Sequence, residues 1–125
     1  MPHLTETQIA SGKELIEAAE RKGIHITAAF WFYFDNGESW KLVLSTKKIV
    51  QDGPRETYEK IQKVLKSSST ITLTLSEISL LKPKAPLLVL MRSVIKTGPG
   101  ISGIRFTGNV VNSQLIPDAY VYRIL

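Results

Sequence analysis

The sequence predicts a single α+β domain over residues 1–125, a two-layer sandwich of three helices on one mixed sheet of about five strands, in the order α-β-β-α-β-α-β-β. Three observations predict it. Residues 24–34 alternate in polarity with period two, the signature of a strand. Segments beginning at Thr5 and Asp52 open with helix-start chemistry and carry apolar residues at helical spacing. Shorter alternating runs recur further along the chain. The length of 125 residues fits one domain, and 43% hydrophobic with 22% charged residues excludes a disordered or low-complexity chain.

The first helix is announced by two successive capping boxes, Thr5 to Gln8 and Ser11 to Glu14. Leu15, Ile16 and Ala19 form its apolar stripe, and Gly23 stands where a left-handed C-terminal cap belongs. In the strand that follows, the even positions Ile24, Ile26, Ala28, Phe30, Phe32 and Phe34 are all apolar and are expected to face the core. The odd positions His25, Thr27, Ala29, Trp31 and Tyr33 mostly carry a polar handle. Asp35-Asn36-Gly37 turns the chain into a second strand. A three-residue loop would set Phe32 opposite Trp40, Phe30 opposite Leu42 and Ala28 opposite Leu44. A two-residue loop would set Phe32 opposite Lys41, so the apolar match favours the longer one.

Asp52-Gly53-Pro54 starts the second helix, with Pro54 at the first helical position, where a missing N–H costs nothing. Tyr58, Ile61 and Leu65 are its buried stripe, while Glu56–Lys60 and Glu59–Lys63 are favourable pairs four residues apart. A third strand is expected around Ile71, Leu73 and Leu75, ending or bulging near Ser76, where the apolar phase shifts. Leu87, Leu90, Met91, Val94 and Ile95 share a helical face bounded by Pro86 and Gly98, which predicts a third helix. A fourth strand runs from Ile104 to about Val111, with a bulge expected at Gly108. Turns at Asn112-Ser113 and Pro117-Asp118 lead to a last strand with Tyr120, Tyr122 and Ile124 alternating.

Sixteen Lys and Arg against eleven Asp and Glu give a net charge of +5. That permits a nucleic-acid partner without implying one, because no block of like charges occurs. The absence of cysteine removes disulfides, thiol chemistry and Cys-ligated zinc. Glu6, Lys13 and Glu14 interrupt any apolar run near the start, so no export signal is expected and the location expected is cytoplasmic. The longest apolar stretch, residues 24–34, is about half a membrane span, so no membrane association is expected.

Chemistry-bearing motifs are few. Gly98-Pro99-Gly100-Ile101-Ser102-Gly103 matches G-x-G-x-x-G, but a helix is expected before it and a strand after it. A phosphate cradle needs the reverse order, so the segment reads as a connection. Asp35, Asp52 and Asp118 all fall in expected turns and His25 stands alone, so no metal or other cofactor is expected. No catalytic residue can be named, and the reading leans away from an enzyme.

The odd face of the first hairpin is the leading candidate surface. Helices covering the Phe-lined face would leave Trp31 and Tyr33 open, with Val43 as apolar filler and Lys41 at the rim. Such a patch fits a non-enzymatic interaction module, associating as a homodimer through those four residues. The alternative partner is single-stranded nucleic acid on the same face, with Lys41, Lys47 and Lys48 meeting phosphates. The third reading is an anion site or small-molecule enzyme, built from Arg92, Arg105 and Tyr120.

Overall fold

Trp31 belongs to the middle strand of the sheet, and that position decides how the layers assemble. A computed structural model describes residues 3–111 and 113–125. The α+β class and the mixed five-stranded sheet are as the sequence predicts. The helices are α1 (Glu6–Arg21), α2 (Lys48–Asp52), α3 (Pro54–Ser67) and α4 (Pro86–Val94). The strands are β1 (Ala28–Phe34), β2 (Ser39–Ser45), β3 (Ile78–Leu80), β4 (Ile104–Val111) and β5 (Gln114–Ile124), in the spatial order β3-β2-β1-β5-β4. Only β2 and β3 run parallel.

Helix α1 starts where the capping chemistry says. Thr5 Oγ1 accepts from the Gln8 backbone N–H, and Gln8 Oε1 accepts from Thr5 N–H, which satisfies two of the helix's orphan donors. Gly23 takes φ +82° just beyond the helix, a conformation that glycine adopts at least cost. Pro54 opens α3 as expected, and the short α2 before it is an element the sequence pattern did not signal.

The first hairpin differs in parity. Its loop is four residues long, Asp35 to Glu38, with Glu38 rather than Gly37 in the left-handed region. Phe34 therefore pairs with Ser39, Tyr33 with Trp40, Trp31 with Leu42 and Phe32 with Lys41. An even loop reverses the faces that an odd one sets. The larger core thus forms on the Trp31 face, where Ala29, Trp31 and Tyr33 meet Trp40, Leu42 and Leu44 under α1 and α3. The Phe30 face carries a second cluster with Val43, Ile116, Val121 and the α4 residues Leu88 and Met91. Helices cover both faces, whereas the sequence pattern assigned them to the Phe-lined one.

Two strand boundaries also differ. Ile71 and Leu73 are buried, but their segment lies outside the sheet, and the Thr72 N–H bonds to Ser11 Oγ on α1 instead of to a strand. The ladder is made by Ile78–Leu80, after a 3-10 turn closed by a Thr74–Glu77 capping box. Further on, β5 runs straight through Pro117 and Asp118. Pro117 sits past the last β1 partner, Phe32↔Ala119, and opposite Gly108 with its φ of +61°, so no turn is needed to accommodate it. Of the expected Asn112-Ser113 turn, Asn112 lies outside the described residues, and Ser113 has φ +65°.

Between Ala29 and Phe30 the β1–β5 register slips, leaving Tyr122 as an extra residue of β5. The Tyr122 hydroxyl accepts from Trp31 Nε1 at 3.0 Å and donates to the Ile9 carbonyl of α1 at 2.6 Å. Helix α1 comes this close because residue 12 is glycine: a Cβ there would lie 2.4 Å from the Tyr122 oxygen and 3.0 Å from Trp31 Nε1. Gly12→Ala therefore sets two effects against each other. Helix propensity favours Ala by about 1 kcal/mol, while overpacking against a hydrogen-bonded side chain costs roughly 1–3 kcal/mol. The expected result in urea unfolding is a net loss of stability of up to about 2 kcal/mol; a gain would mean that α1 is not seated on Tyr122.

Candidate functional site

The hairpin residues that the sequence offers as a partner surface are inside the molecule. Trp31 and Val43 are 0% exposed and Tyr33 is 6% exposed. Val43 even faces the opposite layer from Trp31. Tyr33 stacks edge-on against Trp40 at 5.5 Å, and the Lys41 ammonium donates to the Ser76 carbonyl at 2.6 Å, pinning the turn before β3. The expected open face is corrected by the four-residue loop, which turned it toward α1 and α3. Neither a homodimer contact nor base stacking has a surface there.

Arg92, Arg105 and Tyr120 do not converge either. The Arg92 guanidinium donates to the carbonyls of Leu125 and Pro83, at the end of β5. Arg105 pairs across strands with Tyr120, five residues and about 17 Å back along β5. Its Nε and Nη2 both donate to Asp118, which is 2% exposed, with Nε at 2.7 Å, and the guanidinium lies 5.6 Å from the Trp40 ring centre. This pair is a clasp on the sheet, not a vacant anion site. Tyr120 borders a concavity shared with α1 and the loop before β4, whereas Arg92 lines a different one, at the end of β5.

Strand direction produces the strongest surface feature. The start of β1 and the ends of β2, β3 and β5 lie at one edge of the sheet, because β1 runs against its neighbours and β3 runs with β2. Each chain segment at that edge brings cations. A depression of about 280 Å³ is lined by Lys22, Lys48, Lys60 and Lys63; another of about 410 Å³ holds Lys82 and Lys84. A third, of about 310 Å³, holds His25, Lys47 and Arg92. Together they gather eight of the sixteen Lys and Arg, and no Asp or Glu lines any of them. Lys60 is neutralised by Asp52 at 2.6 Å, whereas Lys22, Lys47, Lys48, Lys63, Lys82 and Lys84 form no ion pair among the described residues. Sequence reasoning names Lys47, Lys48 and Arg92 as candidates. It misses Lys22, Lys60, Lys63, Lys82 and Lys84 because they come from three separate segments: the end of α1, the middle of α3 and the loop after β3.

A buried cation anchors this end to α1. Arg123, 3% exposed, donates to the Glu20 carboxylate at 2.7 Å, to the Ile26 carbonyl at 2.9 Å and to the Gly100 carbonyl. His25 Nδ1 stands 3.5 Å from the same carboxylate. The Gly98–Gly103 segment is a connection between α4 and β4, tied to β5 by Thr97 and Ser102 backbone N–H groups. Among the described residues, no three His, Cys, Asp or Glu side chains cluster as metal ligands would, and no helix is long and apolar enough to cross a membrane. No family model matches the chain, nor does any curated protein or solved structure.

The hydrogen bond from Arg123, reinforced by its charge, holds the Glu20 carboxyl below the usual carboxylate range against the opposing effect of burial. A folded-state pKa below the unfolded value means that this contribution is complete above the unfolded pKa near 4.5 and is lost as pH falls through the folded value. Glu20→Gln is therefore expected to lower stability near neutral pH and to flatten its dependence on pH below about 4.5. Urea unfolding across that range checks it, and an unchanged acid limb would contradict the pairing.

Proposed function

We propose that this chain is a non-enzymatic binding module whose partner is the phosphate backbone of a nucleic acid, held at the basic edge of the sheet. One observation carries the reading: three adjoining depressions lined by eight cations and no carboxylate. Among the described residues Lys22, Lys47, Lys63, Lys82 and Lys84 form no ion pair, so a bound phosphate gains their attraction without displacing one, while Lys48 stands in electrostatic reach of Asp52. Lysine ammonium groups on flexible stems suit phosphates of variable geometry and carry no preference for any base.

The buried aromatic residues sharpen the reading. Trp31, Tyr33 and Trp40 are enclosed, so bases have no ring to stack on at the face first considered. Binding is then driven by counterion release and tolerates any sequence. With about six phosphates engaged on a single strand, log affinity falls with log salt at a slope of roughly −4.

Fluorescence anisotropy with a labelled mixed-sequence oligonucleotide tests this. Raising salt from about 50 to 200 mM is expected to weaken binding by roughly two orders of magnitude or more. The triple variant Lys22→Gln, Lys48→Gln, Lys63→Gln is expected to weaken it at least about tenfold at low salt, since each lost phosphate contact removes a share of the salt-dependent affinity. Absence of binding at low salt, a flat salt response, or unchanged affinity in the triple variant would each overturn the proposal.

A further inference from the structure

Away from the basic edge, α1 and the loop before β4 enclose a groove of about 480 Å³, within the range of small-molecule sites. Its floor is rigid. Tyr122 is fixed there by its bonds to Trp31 and to the Ile9 carbonyl, and the Tyr120 ring packs edge-on against it at 5.4 Å. One wall is a single face of α1, where Glu6, Ile9 and Lys13 follow at helical spacing; the other is Ile101, Ser102 and Gly103.

The polar groups in this groove have a definite sense. Residue 103 must be glycine for Tyr120 to reach the groove as it does, because a Cβ there would lie 2.5 Å from the tyrosine hydroxyl. The hydroxyl then stands at the groove wall, and none of the described hydrogen bonds engages it. The same holds for Ser102 Oγ, and Lys13 is in no ion pair among the described residues. Two hydroxyls and an ammonium are therefore available as donors. The lone lining carboxylate, Glu6, is seven residues and about 10 Å from Lys13 along the helix axis. Between these ends the lining is aromatic and aliphatic.

We propose that the groove is a binding site for a small carboxylate with a ring-sized apolar body. The body lies against Tyr120, Ile9 and Ile101, and the carboxylate is received by Lys13 with the Tyr120 and Ser102 hydroxyls. This site is separate from the basic edge and does not depend on that edge binding nucleic acid. It also revises the anion-site reading of the sequence: Tyr120 keeps its role, while Lys13 of α1 replaces the two arginines, both of which are occupied.

The test uses 3-phenylpropionate and its neutral counterpart 3-phenylpropanamide, titrated into the Lys22→Gln, Lys48→Gln, Lys63→Gln protein so that the basic edge does not compete for the acid. Backbone amide shifts are followed by NMR. Saturable shifts at Lys13, Ile101, Ser102 and Gly103 are expected, with the acid binding at least about tenfold more tightly than the amide. Lys13→Met, an exposed change that leaves the fold intact, is expected to abolish that preference. Tyr120→Phe, which keeps the ring, is expected to reduce it several-fold. No saturable shift by about 10 mM acid, equal binding of acid and amide, an acid preference that survives Lys13→Met, or shifts confined to residues outside the groove would each overturn the assignment.

Discussion

A buried indole N–H must find an acceptor, and in this protein the search for one organises the molecule. Trp31 lies at the centre of the middle strand with no exposure, and its N–H goes to Tyr122. Enclosing a ring of that size removes on the order of 200 Å² from water, about 5 kcal/mol by area, but an unpaired N–H would give back roughly 1–3 kcal/mol. The extra residue in β5 adds Tyr122 to the α1 side of the sheet, the same side on which Arg123 meets Ala29 of β1. Tyr122 then passes a hydrogen bond to Ile9, and Arg123 clamps Glu20, so one irregularity in a strand ties down α1 near both ends.

That seating explains why the surface lies elsewhere. Once α1 covers Trp31 and α3 covers the neighbouring strand, the aromatic residues that make the sequence look like a partner surface are consumed by the core. What remains outside is set by strand direction: the chain turns at one sheet edge with lysines on most of the turning segments, while Asp35 and Glu38 sit in the turn at the other end of β1. The molecule is consequently polarised to a degree that a net charge of +5 does not convey. The groove beside α1 is a second consequence, since it is floored by the same two tyrosines that hold the helix.

Much of the fold was legible locally. Thr5 with Gln8, Gly23, and Gly53-Pro54 each specify a helix end through groups only a few residues apart, and all three are realised. The hairpin parity was not legible, because a local preference of about 1–2 kcal/mol for glycine in the left-handed position, which favours Gly37, is overridden by burial of the Trp31 face under α1 and α3, with Glu38 taking that position. Ile71 and Leu73 alternate as a strand does, yet they satisfy the same periodicity by packing under α1. For the surface the limit was sharper. Lys47 and Lys48 are neighbours and visible as a pair, but Lys22, Lys63, Lys82 and Lys84 meet them only through a sheet order of β3-β2-β1-β5-β4, which is a long-range property.

Trp31 is sealed beneath α1 and bonded to Tyr122. Hydrogen exchange of its indole N–H, followed by NMR, tests this most directly, because that proton leaves only when α1 lifts or the domain unfolds. Exchange slowed by at least about a thousandfold relative to free indole is expected, in keeping with an opening free energy near the global stability. Exchange close to the free rate would show that the Trp31 face is open to water, and the assignment of this face to the core would be wrong.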